Sequence, residues 1–164
     1  MFALKSAHGA TNAERLAELL DQARALLEGE RDQTANSANL AALVFHTLPD
    51  LNWAGFYWMK DGELVLGAFQ GKPACVRIAL GRGVCGTAAR DRRTIVVPDV
   101  NAFPGHIACD SASRSEVVVP IVARAGVVGV LDLDSPRPAR FDDTDARALE
   151  ALARLFVAST DLGS

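Results

Sequence analysis

The sequence predicts an α+β fold, with a central antiparallel sheet of about six strands flanked by helices. Three features support this: apolar residues at helical spacing in the first third, short strand-like segments in the middle, and an amphipathic helix at the end. The order of elements is α-α-β-β-β-α-β-loop-β-β-α, and its tight connections favour an antiparallel sheet with helices packed on it. At 164 residues we expect one domain spanning 1–164.

Two helices are predicted over about residues 11–48. A capping-box pattern runs from Thr11 to Glu14, and Gly29 is expected to end the first helix. The apolar residues at helical spacing are Leu16, Leu19, Leu20, Ala23, Leu26 and Leu27. The second helix is expected over 33–47, before Pro49.

The sheet and its loops are predicted over about 52–135, followed by a helix over about 142–159. Asp61-Gly62 is a strong hairpin signal, and a second hairpin is expected around Arg124-Ala125-Gly126. The predicted strands are NWAGFYWMK, ELVLGAFQ, ACVRIAL, TIVVPDV, EVVVPIVA and VVGVLDLDS, with a short helix in GRGVCGTAARD.

Composition narrows the function classes. Apolar residues make up 49% and charged residues 23%, as in ordinary globular proteins. The net charge of −3 argues against a nucleic-acid partner. No apolar run reaches membrane-spanning length and the N-terminus has no secretion signal, so a cytoplasmic protein is expected.

Three cysteines are present, Cys75, Cys85 and Cys109. An odd number cannot form a complete set of structural disulfides, and cytoplasmic thiols are kept reduced. The cysteines form no CxxC pair and the three histidines are scattered, so no metal site is predicted.

Carboxyl groups occur in an otherwise apolar strand. Strand alternation places Val128, Val130, Asp132 and Asp134 on one face, and Leu131 and Leu133 on the other. Burying two like charges is costly unless a positive or hydrogen-bonding group meets them. The alternative is that the strand simply ends and the aspartates emerge into solvent.

An aromatic-lined hollow is predicted on the same sheet. Trp53, Gly55 and Tyr57 share a face, with a gap where Gly55 has no side chain, although both aromatics could equally be core residues. Glu116 begins the strand paired with the aspartate strand. Three acids could therefore converge beside the hollow.

The cysteines have different contexts. Cys85 is either a small buried residue or a thiolate favoured by a helix N-terminus. Cys75 is expected in a strand, where a core role is the simpler interpretation. Cys109 lies in the turn-forming segment HIACDSASRSE, which is the least core-like context. Nearby His106 is expected to have a structural role.

Taken together, LNWAGFYW, GRGVCGTAA, FPGHIACDSASRSEVVVPI and GVLDLDSP resemble the free methionine-(R)-sulfoxide reductases, which are built on a GAF-type domain. The resemblance runs from about residue 40 to the final helix. Its most specific parts are the spacing of the three cysteines and the Glu and Asp-Leu-Asp that follow them.

The resemblance implies thiol-dependent reduction of free methionine-(R)-sulfoxide to methionine. Cys109 would attack, with Cys75 and Cys85 as candidates for the resolving thiol. The implied substrate pocket contains Trp53, Tyr57, Glu116, Asp132 and Asp134. Glu116 would supply a proton if burial and the nearby aspartates raise its pKa.

The resemblance also implies partners. No bound cofactor is expected, and thioredoxin or another dithiol would be the external reductant. A homodimer is implied as well. Two alternatives stay open: a GAF-type sensor that binds a small ligand without turnover, and a redox switch whose cysteines oxidise without reducing a substrate.

Overall fold

The computed structural model describes residues 10–107 and 110–163. Its helices are α1 (Asn12–Leu27), α2 (Gln33–Thr47), α3 (Gly83–Asp91) and α4 (Asp143–Ser159), and a short 3₁₀ helix spans Val100–Ala102. Its strands are β1 (Trp53–Lys60), β2 (Glu63–Gly71), β3 (Arg77–Ala79), β4 (Ile95–Val97), β5 (Ser115–Ala123) and β6 (Gly126–Ser135). The predicted order of elements is confirmed.

Local signals fix the helix ends. The capping box predicted from Thr11 to Glu14 is present, with both reciprocal hydrogen bonds. Gly29 follows the end of α1 with a φ of 76°, a conformation that glycine adopts without strain. A second capping box, between Asp142 and Asp145, starts α4.

The six strands form one antiparallel sheet in the order β3-β2-β1-β6-β5-β4. Asp61 and Gly62, with φ values of 51° and 83°, make the predicted turn between β1 and β2. The third strand is shorter than predicted. It begins at Arg77, so Cys75 precedes it instead of lying within it.

The two faces of the sheet carry different layers. One face packs against α1, α2 and α4, and its buried residues include Leu131 and Leu133 of β6. The opposite face packs against α3 and includes Val130 in a second apolar cluster. The predicted split of these residues between the faces is therefore confirmed.

Val128 departs from the predicted alternation. Its side chain packs on the face covered by α1, α2 and α4, whereas the side chain of Val127 packs on the face covered by α3. The register between β5 and β6 shifts here, since Ile121 pairs with Gly129 and Val122 with Val127. The extra residue on β6 is a β-bulge, which reverses the alternation on its far side.

None of the helices in 10–107 and 110–163 is long and apolar enough to cross a membrane.

Candidate active site

A cavity lies between α3 and the face of the sheet opposite the three long helices. Its empty space, which includes the part open to solvent, is about 540 Å³. Its lining brings together most of the site residues predicted from sequence: Trp53, Tyr57, Cys85, Glu116, Asp132 and Asp134, with His106 at one side.

The three acids meet because of strand register. Glu116 of β5 lies directly opposite Asp134 of β6, and Asp132 is two residues further along the same face. Glu116 and Asp132 are each 6% exposed, and Asp134 is half-buried. The predicted convergence is confirmed, and the alternative that both aspartates emerge into solvent is wrong.

Burial changes the acidity of all three groups. It raises the pKa of Glu116 well above the usual value, and the charges of Asp132 and Asp134 raise it further. Burial also raises the pKa of Asp134. The pKa of Asp132 rises to about 7 through burial, although hydrogen bonds with Cys85 and Glu116 act to lower it. The cluster therefore retains protons near neutral pH.

Cys85 is the third residue of α3, and its side chain is buried next to the acidic cluster. It is a free thiol whose Sγ lies 4.0 Å from Oε1 of Glu116. Burial raises its pKa well above the usual value, and the charges of Asp132 and Glu116 add to that effect. Cys85 does lie in the first turn of α3, but burial and the neighbouring acids raise its pKa, so the structure favours the interpretation of a small buried residue held as a thiol.

Cys75 lies in the segment 72–76, between β2 and β3. It is half-buried and disulfide-bonded. The segment is not a strand, and Pro73 within it has no N–H to donate to a ladder. The strand placement expected for Cys75 was therefore wrong.

Two aromatic side chains hold this segment over the cavity. Trp53 Nε1 donates to the carbonyl oxygen of Lys72 at 3.2 Å, and Tyr57 OH donates to the carbonyl oxygen of Cys75 at 3.0 Å. Both aromatics are buried, so each polar hydrogen needs a partner of this kind. Sequence reasoning placed the two rings at the site but gave no sign of these bonds.

The gap predicted at Gly55 does not exist. Trp53 stacks on Tyr57 with 5.8 Å between ring centroids, and on Phe69 with 5.3 Å. A Cβ built at Gly55 would lie 2.7 Å from the Trp53 ring and would also meet Phe69. Gly55 therefore accommodates the neighbouring aromatic side chains, and sequence reasoning missed that Phe69 packs behind Trp53 in the apolar cluster of this face.

Cys109 lies outside the described residues, but the residues that follow it are well anchored. The Asp110 carboxylate accepts hydrogen bonds from Asn52 Nδ2 at 3.1 Å and from the Ala112 N–H at 2.9 Å. Lys72 Nζ is 3.8 Å from the same carboxylate. The backbone and side-chain hydrogen bonds lower the pKa of Asp110.

Asn52 also donates to Ser113 Oγ at 3.0 Å. Asn52 directly precedes β1, so its hydrogen bonds to Asp110 and Ser113 connect the segment after Cys109 to the sheet. Sequence reasoning missed Asn52, Lys72 and Asp110; the one available signal was the cluster of loop-forming polar residues after Cys109.

His106 lies close to one of the three acids, Glu116. Its Nε2 lies 3.7 Å from Oε2 of Glu116. Burial lowers the pKa of His106, so the ring is neutral at pH 7. It is therefore a polar neighbour of Glu116 and not a counter-charge to it.

The cavity also contains a set of potential metal ligands. Donor atoms of Cys85, Glu116 and Asp132 all lie within 4.8 Å of one another. Sequence spacing gave no sign of this set, because its members come from α3, β5 and β6.

Comparison with known proteins is consistent with this geometry. The family model for the GAF domain matches residues 34–158. Free methionine-R-sulfoxide reductase of Escherichia coli K12 is 50% identical over 139 residues, which cover 85% of this chain and 84% of that protein. Protein YtsP of Bacillus subtilis is 58% identical over 137 residues, 82% of this chain and 84% of its own.

Among solved structures, free methionine-R-sulfoxide reductase from Neisseria meningitidis in complex with its substrate superposes with a TM-score of 0.93. It is 44% identical, and the match covers 97% of this chain and 95% of that one. With the identities above, this confirms the resemblance carried by the cysteine spacing and the acidic strand. The chain belongs to the free methionine-(R)-sulfoxide reductases, a family built on the GAF domain.

Proposed function

We propose that this chain reduces free L-methionine (R)-S-oxide to L-methionine with thiols alone, through a sulfenic acid on Cys109 and an intramolecular disulfide. The observation that carries the mechanism is the buried cluster of Glu116, Asp132 and Asp134, whose raised pKa values keep protons at the site. Sulfoxide reduction needs an acid at that place, because the leaving oxygen must be protonated.

The acids also account for a preference for the free amino acid. Asp132 and Asp134 would meet the α-ammonium group, which a residue within a polypeptide does not have. Like charges that are costly to bury would then gain a cationic partner. Trp53 and Tyr57, already stacked, would hold the methyl sulfoxide end.

The first chemical step begins with attack of the Cys109 thiolate on the sulfoxide sulfur. Glu116 donates a proton to the sulfoxide oxygen, which ends on Cys109 as the hydroxyl of a sulfenic acid. The methionine sulfur gains two electrons and the cysteine sulfur loses two. Methionine leaves with its sulfur as a thioether.

The second step resolves the sulfenic acid. A second thiolate attacks the Cys109 sulfur and a disulfide forms, while the hydroxyl takes a proton from the acid cluster and leaves as water. Cys75 is the better candidate, because it is disulfide-bonded, whereas Cys85 is free, buried and held as a thiol. Cys85 would then remain protonated beside the acids.

The cycle closes when an external dithiol reduces the disulfide by exchange. We assign this role to thioredoxin and place the protein in the cytoplasm, where dithiol reductants keep thiols reduced. We also expect a homodimer, no bound cofactor and no nucleic-acid partner. The physiological role would be repair of oxidised free methionine.

The test is methionine production from each sulfoxide epimer with dithiothreitol as reductant. We expect methionine from the R epimer, none above background from the S epimer, and no turnover by Cys109→Ser. Asp143→Asn, an exposed change at the start of α4, is the matched control.

The same assay separates the alternatives. Binding of the R epimer without methionine formation would support a sensor. Peroxide-driven disulfide formation without methionine formation would support a redox switch. Either result would overturn the reductase mechanism.

A further inference from the structure

Cys85, Glu116 and Asp132 form a compact group of three metal-ligating side chains. One donor atom from each lies within 4.8 Å of the others, and all three residues are buried. Cys85 Sγ and Oε1 of Glu116 are 4.0 Å apart. His106 Nε2 lies 3.7 Å from Oε2 of Glu116 but is not part of this group.

A second observation points to a ligand at this group. Oδ1 of Asp132 is buried and has no hydrogen-bond partner among the residues that the structure describes, and Asp132 lines the cavity. A buried carboxylate oxygen without a partner is energetically unfavourable. A cation among the three side chains would satisfy it.

The donor types select the class of cation. A thiolate sulfur with carboxylate oxygens is a ligand set that Zn²⁺ and Cd²⁺ accept, whereas Mg²⁺ and Ca²⁺ take oxygen alone. With bonds of about 2.0–2.3 Å, tetrahedral donors lie about 3.3–3.8 Å apart. The separation of 4.0 Å between Cys85 Sγ and Glu116 Oε1 is close to this range, so small side-chain movements would bring these two donors onto one ion.

We propose that Cys85, Glu116 and Asp132 form a three-ligand binding site for a thiophilic divalent cation such as Zn²⁺ or Cd²⁺. The cation would displace the Cys85 thiol proton and any proton held by the two carboxyl groups, so binding releases protons to solution. Because Glu116 and Asp132 also belong to the proposed substrate site, the cation and the sulfoxide would exclude each other; this last consequence rests on the proposed function.

The binding test uses the oxidised protein, in which Cys75 is disulfide-bonded and Cys85 is a free thiol. Titration with Cd²⁺ should give a thiolate-to-metal charge-transfer band in the ultraviolet that saturates at one ion per chain. Cys85→Ser should abolish the band. Asp132→Asn should weaken binding at least about tenfold, since even the loss of an outer-shell group costs that much.

Asp143→Asn, an exposed carboxyl change, should bind Cd²⁺ like the unaltered protein. A native circular dichroism spectrum for each variant excludes unfolding as the cause of lost binding. No band with the unaltered protein, or a band of full strength in Cys85→Ser, would overturn the site. Because the readout needs no turnover, failure of the reductase mechanism would leave it unaffected.

Discussion

Glu116 and Asp134 occupy directly opposite positions on β5 and β6, on the face of the sheet that lines the cavity. Two carboxyl groups facing each other across an antiparallel pair are unfavourable when both are charged. Asp132, on the same face of β6, adds a third. The fold therefore retains an arrangement that costs stability, as expected where the acids serve a substrate.

The free energy of unfolding should fall as pH rises from about 4 to about 7. The three acids have folded-state pKa values above their unfolded values, about 7 against 3.8 for Asp132. Between those values the unfolded chain releases protons that the folded chain keeps, so rising pH favours unfolding. Asp132→Asn should reduce the total fall in the free energy of unfolding over this pH range by an amount on the order of a few kcal/mol. Urea titrations at several pH values measure this, with Asp143→Asn as control; an equally steep decline in Asp132→Asn would contradict it.

Cys75→Ala and Cys85→Ala should differ in disulfide formation. After one equivalent of methionine-(R)-sulfoxide, we expect the Cys85→Ala protein to form the intramolecular disulfide and the Cys75→Ala protein to stop at the sulfenic acid. The reason is that Cys85 is a buried thiol with a raised pKa, and attack requires a thiolate. Mass spectrometry with a sulfenic acid trap distinguishes the products. The reverse pattern would assign the resolving role to Cys85.

Tyr57→Phe should slow the resolving step more than the reduction of substrate. The change removes the hydrogen bond of 3.0 Å to the carbonyl of Cys75 but keeps the ring stacked on Trp53. We expect a loss of about 1–2 kcal/mol in stability. Turnover with thioredoxin should fall more than turnover with dithiothreitol, which can reduce a sulfenic acid directly. Equal losses with both reductants would show that the hydroxyl acts on substrate instead.

Gly55→Ala should destabilise the protein by about 2–4 kcal/mol through overpacking. Its Cβ would lie 2.9 Å from the Ala68 carbonyl oxygen, which is backbone and cannot move aside easily. Gly29→Ala is the matched control, because its φ of 76° is unfavourable for alanine but nothing lies within 4 Å of the new methyl. It should cost about 1–2 kcal/mol. Thermal unfolding compares the two, and an equal cost would argue against overpacking at Gly55.

Much of the fold could be predicted because its signals are local. The Thr11 capping box and the Asp61-Gly62 turn each depend on a few neighbouring residues. The meeting of Glu116 with the aspartates of β6 was also predictable, because a hairpin fixes which residues face each other.

Other features depended on distant parts of the chain. The space at Gly55 is filled by the Trp53 ring and by Cβ of Phe69, which lies directly opposite Gly55 on the next strand. The thiol character of Cys85 follows from acids on two other strands. Sequence showed each residue but not the depth at which it is buried.

The segment that carries Cys75 is held to β1 through its backbone carbonyls, not through sulfur. Neither anchor uses the sulfur atom, so the proposed making and breaking of a bond at that sulfur would leave both of these hydrogen bonds in place. A signalling protein needs the opposite, a linkage that transmits each oxidation to a distant surface. The proposed cycle of oxidation and reduction would stay confined to a few side chains, which suits a protein that must return unchanged after every turnover.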